Sequence, residues 1–181
     1  MSRVVFMCGP AGSGKSTVAR ELEASGMTRL SFDEEAWERG IREQPLAEDV
    51  RREIETALRH RLVELVSAGI DVVLDYSFWS RRMRRDYREL LRPLGVEPET
   101  IYLATPRDVV LARVAARDGA AANEVELSPE VAATYFDAFE APTRDEGPLV
   151  ILGDDPQPRP TPSGSAPGSK ESGQAPTSSS V

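Results

Sequence analysis

Cysteine occurs once in this chain, at Cys8, and histidine once, at His60. One thiol cannot form an intramolecular disulfide, which points to a reducing compartment or to indifference to redox. One imidazole excludes a multi-histidine metal site, and His60, within a helical stretch, reads as a surface or packing residue. Cys8 ends an apolar run and reads as a buried, inert thiol. Long apolar stretches are missing too. None approaches the ~18 residues of a membrane span, and Val4–Cys8 is shorter than a secretory core of ~7–15 residues. Positive charge is in short supply: 22 basic residues face 30 acidic ones, for a net charge of −8. Such a balance argues against non-specific binding to nucleic acid or anionic membrane. The expectation is a soluble, cytoplasmic protein.

Lysine is scarcest in proportion. Of the 22 basic residues, only Lys15 and Lys170 are lysines. Lys170 falls in 154–181, a stretch rich in Pro, Ser and Gly that cannot bury enough apolar area to offset its ordering entropy, so disorder is expected there. Residues 1–153 then form one domain, as a chain of 181 residues leads one to expect. Lys15 is the one lysine in it.

Inside the domain, short apolar runs alternate with amphipathic stretches. The runs predict strands over Arg3–Cys8, Arg29–Phe32, Asp71–Asp75, Thr100–Ala104 and Leu149–Leu152. Helices are expected over Lys15–Ser25, Ala47–Ser67, Ser80–Leu94, Pro106–Arg117 and Pro129–Phe139. Ser80 and Ser128-Pro129 are helix-start signals. Continuous apolar strands separated by helices imply a parallel sheet covered on both faces, a three-layer α/β sandwich.

Directly after the first strand comes Gly9-Pro10-Ala11-Gly12-Ser13-Gly14-Lys15-Ser16-Thr17. It matches G-x-x-x-x-G-K-[ST], between a strand and a helix as the phosphate loop requires. Glycines at 9, 12 and 14 let the backbone curl, so that N–H groups around Ala11, Ser13 and Gly14 can point at phosphate oxygens. The helix N-terminus adds partial positive charge. Lys15 can reach the β- and γ-phosphates, and the Ser16 hydroxyl can ligate Mg²⁺. Two aspartates end later strands, Asp33 after Leu30-Ser31-Phe32 and Asp75 after Val72-Val73-Leu74. Ligands of open parallel sheets bind outside the carboxyl ends of the strands, so both carboxylates are expected at the crevice. One could hold Mg²⁺ through water and the other accept a proton. Asp33 could instead cap a short helix over Glu34–Arg39, and Asp75 could be a turn residue.

Taken together, Gly9–Thr17, Ser31-Phe32-Asp33, Val72–Phe78, the arginine-rich helix and Leu111–Arg117 resemble the small P-loop kinases. That group includes polynucleotide 5′-kinase domains, chloramphenicol phosphotransferase, zeta toxins and gluconate-type kinases. The resemblance spans about residues 3–152. It implies a five-stranded parallel sheet in 2-3-1-4-5 order, with ATP and Mg²⁺ as cofactors. It also implies Asp33 as general base on the acceptor hydroxyl and Asp75 near acceptor and metal. Arg84 falls where the pattern has an arginine after the Asp-x-[ST]-Phe segment. Arg113 and Arg117 match lid arginines that contact phosphates and nucleotide, ahead of a small-residue loop at 118–123. Tyr76-Ser77-Phe78-Trp79 departs from the Asn-Thr-Asn of polynucleotide kinases. Trp37, Tyr76, Phe78 and Trp79 could wall an acceptor pocket or fill the core. Arg81, Arg82, Arg84, Arg85, Arg88 and Arg92 share one helix, either as a basic track or as a solvated face. The expected activity is phosphoryl transfer from ATP to a hydroxyl of a small molecule. A polynucleotide 5′-kinase and a nucleotide-binding switch or ATPase are the alternatives.

The tail yields a test at once. Deleting Asp154–Val181 should leave melting temperature and ATP affinity unchanged; a drop beyond about 4 °C, the shift that roughly 1 kcal/mol produces in a domain this size, would show that the segment docks.

Overall fold

The computed structural model describes residues 1–41, 46–116 and 128–153. The 154–181 tail, Arg117 and the 118–123 loop lie outside the described residues. Five strands, β1 (Val4–Cys8), β2 (Thr28–Ser31), β3 (Val72–Asp75), β4 (Glu99–Ala104) and β5 (Leu149–Gly153), form one sheet in the order β2-β3-β1-β4-β5. Every pairing is parallel, with β1 central between β3 and β4. The three-layer α/β architecture and the strand order expected from the sequence are both present.

Each face of the sheet has its own core, and the period-two alternation of β1 assigns its residues to them. Val4, Phe6 and Cys8 enter the larger core with Ile54, Leu58 and Leu62 of α3 (Glu48–Ser67) and Tyr87 and Leu91 of α4 (Arg81–Leu91). Val5 and Met7 enter the smaller one with Ala19 of α1 (Lys15–Ala24), Val73, Ile101 and Leu103. The apolar stripe of α3 buries Ile54, Leu58, Leu62, Leu65 and Val66, while Arg61 and His60 stay exposed.

Helix ends follow local chemistry. The Ser80 hydroxyl accepts from the Met83 amide at the start of α4. The Ser128 hydroxyl accepts from the Val131 amide ahead of α6 (Pro129–Asp137), with proline at its first position. The α4 helix stops at Leu91 and gives way to a 3-10 turn at Arg92–Leu94, short of the expected end as a continuous helix. Pro93 lacks the N–H that would continue the α-helical ladder to Glu89. A short helix, α2 (Phe32–Glu38), follows β2, and its N-cap is Ser31, whose hydroxyl accepts from the Glu34 amide. Asp33 therefore lies inside the first turn, and the capping alternative for it does not hold.

One buried charge ties these elements together. Arg84, on α4, is 0% exposed. Its Nε and Nη2 donate to the two Glu146 carboxylate oxygens at 2.7 and 2.9 Å, a bidentate pair. Its Nη1 donates to the carbonyls of Phe78 and Glu140, both at 2.8 Å. Phe78 needs that support, because its φ of 44° is left-handed backbone that a bulky residue rarely adopts. Its ring stacks on Phe6 at 4.4 Å, and its carbonyl also accepts from the Cys8 thiol. Burial raises the Glu146 carboxyl, but the hydrogen bonds from Arg84 and the Thr143 amide, with the charges of Arg84 and Arg81, together outweigh it and hold the group below its ordinary 4.5.

Removing one partner strands the other charge in the interior. Arg84→Met should therefore lower stability by about 3–5 kcal/mol in urea denaturation. Because Glu146 is depressed in the folded state, its contribution is complete above its ordinary pKa and is lost as pH falls through the native one. Wild-type stability should thus decline below about pH 4.5, and Glu146→Gln should flatten that limb.

Candidate active site

The phosphate loop leaves the carboxyl end of central β1, where a ligand meets both the strand ends and the start of α1. Gly12 has φ 84° and lies under α5 (Arg107–Ala115); a Cβ there would sit 3.0 Å from the Val110 carbonyl oxygen and 3.0 Å from Val114 Cγ2. Gly14, at φ 94°, is the N-cap of α1 in the left-handed region. Glycine alone adopts these geometries without strain. The loop is pinned at three points. The Gly9 amide donates to the Ser77 carbonyl at 3.2 Å, the Ser13 amide to the Pro10 carbonyl at 3.2 Å, and Thr105 Oγ1 to the Ser13 carbonyl at 3.1 Å. Lys15 Nζ donates to the Pro10 carbonyl at 2.9 Å, folding the side chain over the curl of the loop. Ser13 Oγ is buried and has no hydrogen-bond partner among the described residues.

Ser16 and Asp75 meet across the end of the loop, where Ser16 Oγ donates to Asp75 Oδ1 at 3.3 Å. The other carboxylate oxygen, Oδ2, accepts from Arg29 Nη1 at 2.9 Å. Sequence analysis treats Arg29 only as the first residue of a strand. In the structure its side chain is 6% exposed and pairs with three carboxylates, Asp75, Glu34 and Glu23. Burial disfavours its charge, yet the hydrogen bonds it donates to Glu34 and Glu23, with the charges of Glu34 and Asp75, carry its pKa above the ordinary value. The sequence does hold a signal for it. Arg29 and Ser31 are two apart on β2 and share a face, and Ser31 is in register with Asp75. Asp33, two residues beyond Ser31, is exposed at the same carboxyl edge.

The remaining expected residues are arranged less simply. Arg113 is exposed on the last turn of α5, the helix packed on Gly12 through Val110 and Val114. Arg84 does not present its guanidinium to the crevice, since it is fully buried in the network with Glu146, Phe78 and Glu140. Tyr76 and Phe78 are core residues, 5% and 0% exposed, and so form no pocket wall. Trp37 and Trp79 are exposed. Cys8 is inert as expected, because burial pushes its thiol up to about 11 despite the opposing charge of Arg84. Among the described residues no cluster of three or more His, Cys, Asp or Glu side chains could hold a metal, and no helix is long and apolar enough to cross a membrane. A divalent cation here would draw on the hard oxygens of Ser16 and Asp75 together with phosphate oxygens. That is the donor set Mg²⁺ favours, so the residues present fit it.

Comparison with known proteins agrees with this geometry. A sugar kinase from Janibacter sp. HTCC2649 superimposes with a TM-score of 0.60 at 22% identity, over 84% of this chain and 86% of that one. A putative kinase from Chloroflexus aurantiacus J-10-fl gives a TM-score of 0.67 at 19% identity, over 84% and 88%. A gluconokinase from Sinorhizobium meliloti 1021 gives 0.59 at 24% identity, over 83% and 82%. At these identities the likeness establishes the fold. No curated protein matches the sequence. The model of the AAA domain family matches residues 4–142, well over half the chain, and the protein therefore belongs to that family, with the P-loop fold that the small kinases share.

Proposed function

We propose that this protein is an ATP-dependent, Mg²⁺-requiring phosphotransferase that moves the γ-phosphate of ATP to a hydroxyl of a small molecule. The observation that carries the reading is the meeting of Ser16 and Asp75 at 3.3 Å beside Lys15, with a second carboxylate, Asp33, exposed on the same edge. A nucleotide switch needs the first pair and has no use for the second carboxylate. The sugar kinase and gluconokinase that share the fold support a kinase over other phosphate-loop chemistries.

In this reading Gly9, Ala11, Gly12, Ser13 and Gly14 line the phosphates with backbone, and Lys15, Ser16 and Thr17 complete the loop. Lys15 turns from the Pro10 carbonyl to the β- and γ-phosphates. Ser16 and Asp75 hold Mg²⁺, which when bound neutralises charge on the β- and γ-oxygens. Arg29 fixes Asp75 through Oδ2 and so leaves Oδ1 facing Ser16. Asp33 accepts the proton of the attacking hydroxyl. Arg113, carried on the helix that packs against the loop, and Arg117 stabilise charge developing on the transferred phosphoryl group. Arg84 is assigned to positioning: it braces Phe78, whose neighbour Ser77 holds the Gly9 amide. A small acceptor is favoured over a polynucleotide end by the net charge of −8 and by the burial of Tyr76 and Phe78, where nucleic-acid kinases carry polar residues.

Two variants test the assignment. Lys15→Ala should fold normally, bind ATP more weakly and transfer no phosphate; unchanged ATP affinity in calorimetry would contradict it. Asp33→Asn should keep the melting temperature, since Ser31 is the cap, and should keep ATP and Mg²⁺ affinity. Its transfer rate should fall by roughly 10²–10⁴-fold, the usual worth of a positioned base. Transfer at the wild-type rate would remove the base, and a rate restored by excess Mg²⁺ would make Asp33 a metal-shell residue instead.

A further inference from the structure

The arginine helix has an outer side that the phosphate chemistry does not use. Arg81, Arg85, Arg88 and Arg92 are spaced four, three and four residues apart, so they form one stripe along α4, with heads about 4.5–6 Å apart along the axis. With Arg82 and Glu89 they line a cavity of about 360 Å³ bordered on its other side by Asp145 and Glu146 of a second 3-10 turn, Arg144–Glu146. The α4 helix starts at the carboxyl edge of the sheet and runs back toward the amino edge, where Arg88 Nη2 donates to Thr100, the second residue of β4, at 2.8 Å. The groove thus leads away from the phosphate loop.

Its charges do not balance. Asp145 is paired with Arg81, and Glu146 with Arg84. Asp86 and Glu89 face Arg82 and Arg85 only at 3.8–4.0 Å. Arg82, Arg85, Arg88 and Arg92 face three carboxylates once Glu97, whose charge acts on Arg88, is counted with Asp86 and Glu89, and an excess of positive charge remains in a protein that is otherwise acidic. Arg88 is also short of partners. Its Nε and Nη1 are buried and make no hydrogen bond. Unmet buried donors of this kind normally mark an unsatisfied site or a missing ligand. Burial disfavours the Arg88 charge and lowers its pKa, although Glu146 pulls the other way. An anion in the groove would relieve both the charge and the donors.

We propose that this groove is a binding site for a phosphate monoester dianion, separate from the nucleotide crevice. Such a group carries about −1.5 to −2 charges at pH 7, which suits a groove lined by five arginines, and its three acceptor oxygens suit guanidinium forks. The cavity is larger than the phosphate alone, so the organic part of the ester has room. An occupant would bridge α4 to the turn at Arg144–Glu146, and through the Arg84–Glu146 pair it would tighten the strained segment at Phe78 beside the loop. The inference does not rest on phosphoryl transfer and stands or falls separately from it.

The test is calorimetric titration of phenyl phosphate into the full chain, with the nucleotide crevice first saturated by Mg²⁺ and ADP. One site per chain is expected. Arg85→Gln/Arg92→Gln, both exposed positions whose change leaves the core intact, should weaken it by about tenfold or more, the worth of a charge-assisted hydrogen bond. Lys15→Ala should leave it unchanged. Phenyl sulfate, a monoanion of similar shape, should bind about tenfold more weakly or worse. Absence of binding would overturn the proposal, as would binding indifferent to the arginine pair. Loss of binding in Lys15→Ala would place the anion in the nucleotide crevice instead, and equal affinity for phenyl sulfate would defeat the dianion assignment.

Discussion

The guanidinium of Arg84 is the contact on which the rest of the molecule is hung. It reaches from α4 to Glu146, ahead of β5, to the Glu140 carbonyl beyond α6, and to the Phe78 carbonyl in the turn after β3. Three segments far apart in sequence meet at one group with no solvent exposure. A charge can be kept in such a place only if each of its nitrogens is hydrogen-bonded and an opposite charge is close, and Arg84 meets both conditions. The constraint reaches the site by a short route. Phe78 is held in left-handed backbone, Ser77 before it accepts from the Gly9 amide, and Gly9 opens the phosphate loop. The shape of the loop thus depends on a salt bridge on the opposite side of the sheet from α1.

A second buried arginine governs the carboxylates. Asp75 sits between Arg29 and Ser16, one oxygen committed to each. Arg29 in turn gathers Glu23 and Glu34, so three acidic side chains share one nearly buried cation. In a chain of net charge −8, this arrangement keeps a carboxylate at the mouth of an anion-binding loop without leaving it uncompensated. Asp33 is exposed, whereas Asp75 is buried. The two aspartates thus occupy different environments, as the proposed division between a metal-holding and a proton-accepting carboxylate requires.

Most of the architecture was legible in the sequence because it follows from local periodicity. The five apolar runs became the five strands, and Ser80 and Ser128 capped the helices they were expected to cap. Gly9–Thr17 is specific enough to locate the loop, since its glycines at 12 and 14 do adopt positive φ. What the sequence left open or passed over shares a physical origin in tertiary contacts. Arg84 carries the same sequence signal whether it points at a phosphate or at Glu146, 62 residues away, and only the fold decides. Tyr76 and Phe78 could have walled a pocket, but stacking of Phe78 on Phe6 and an edge contact of Tyr76 with Tyr87 draw them into the core. Arg29 was passed over because a charged residue at a strand end is ordinary until the register sets it beside Asp75. Asp33 was open to a capping role until Ser31 filled it.

The loop, the Ser16–Asp75 pair and exposed Asp33 form a coherent account only if a hydroxyl comes to the γ-phosphate. The most direct measurement is transfer of label from [γ-³²P]ATP, with Mg²⁺, to a panel of sugars, sugar acids, aminoalcohols and 5′-hydroxyl oligonucleotides, run beside an acceptor-free control. The account predicts labelling of one class of small hydroxyl compound at a rate well above acceptor-free hydrolysis. Labelling confined to the oligonucleotides, or phosphate release that no acceptor alters, would contradict it.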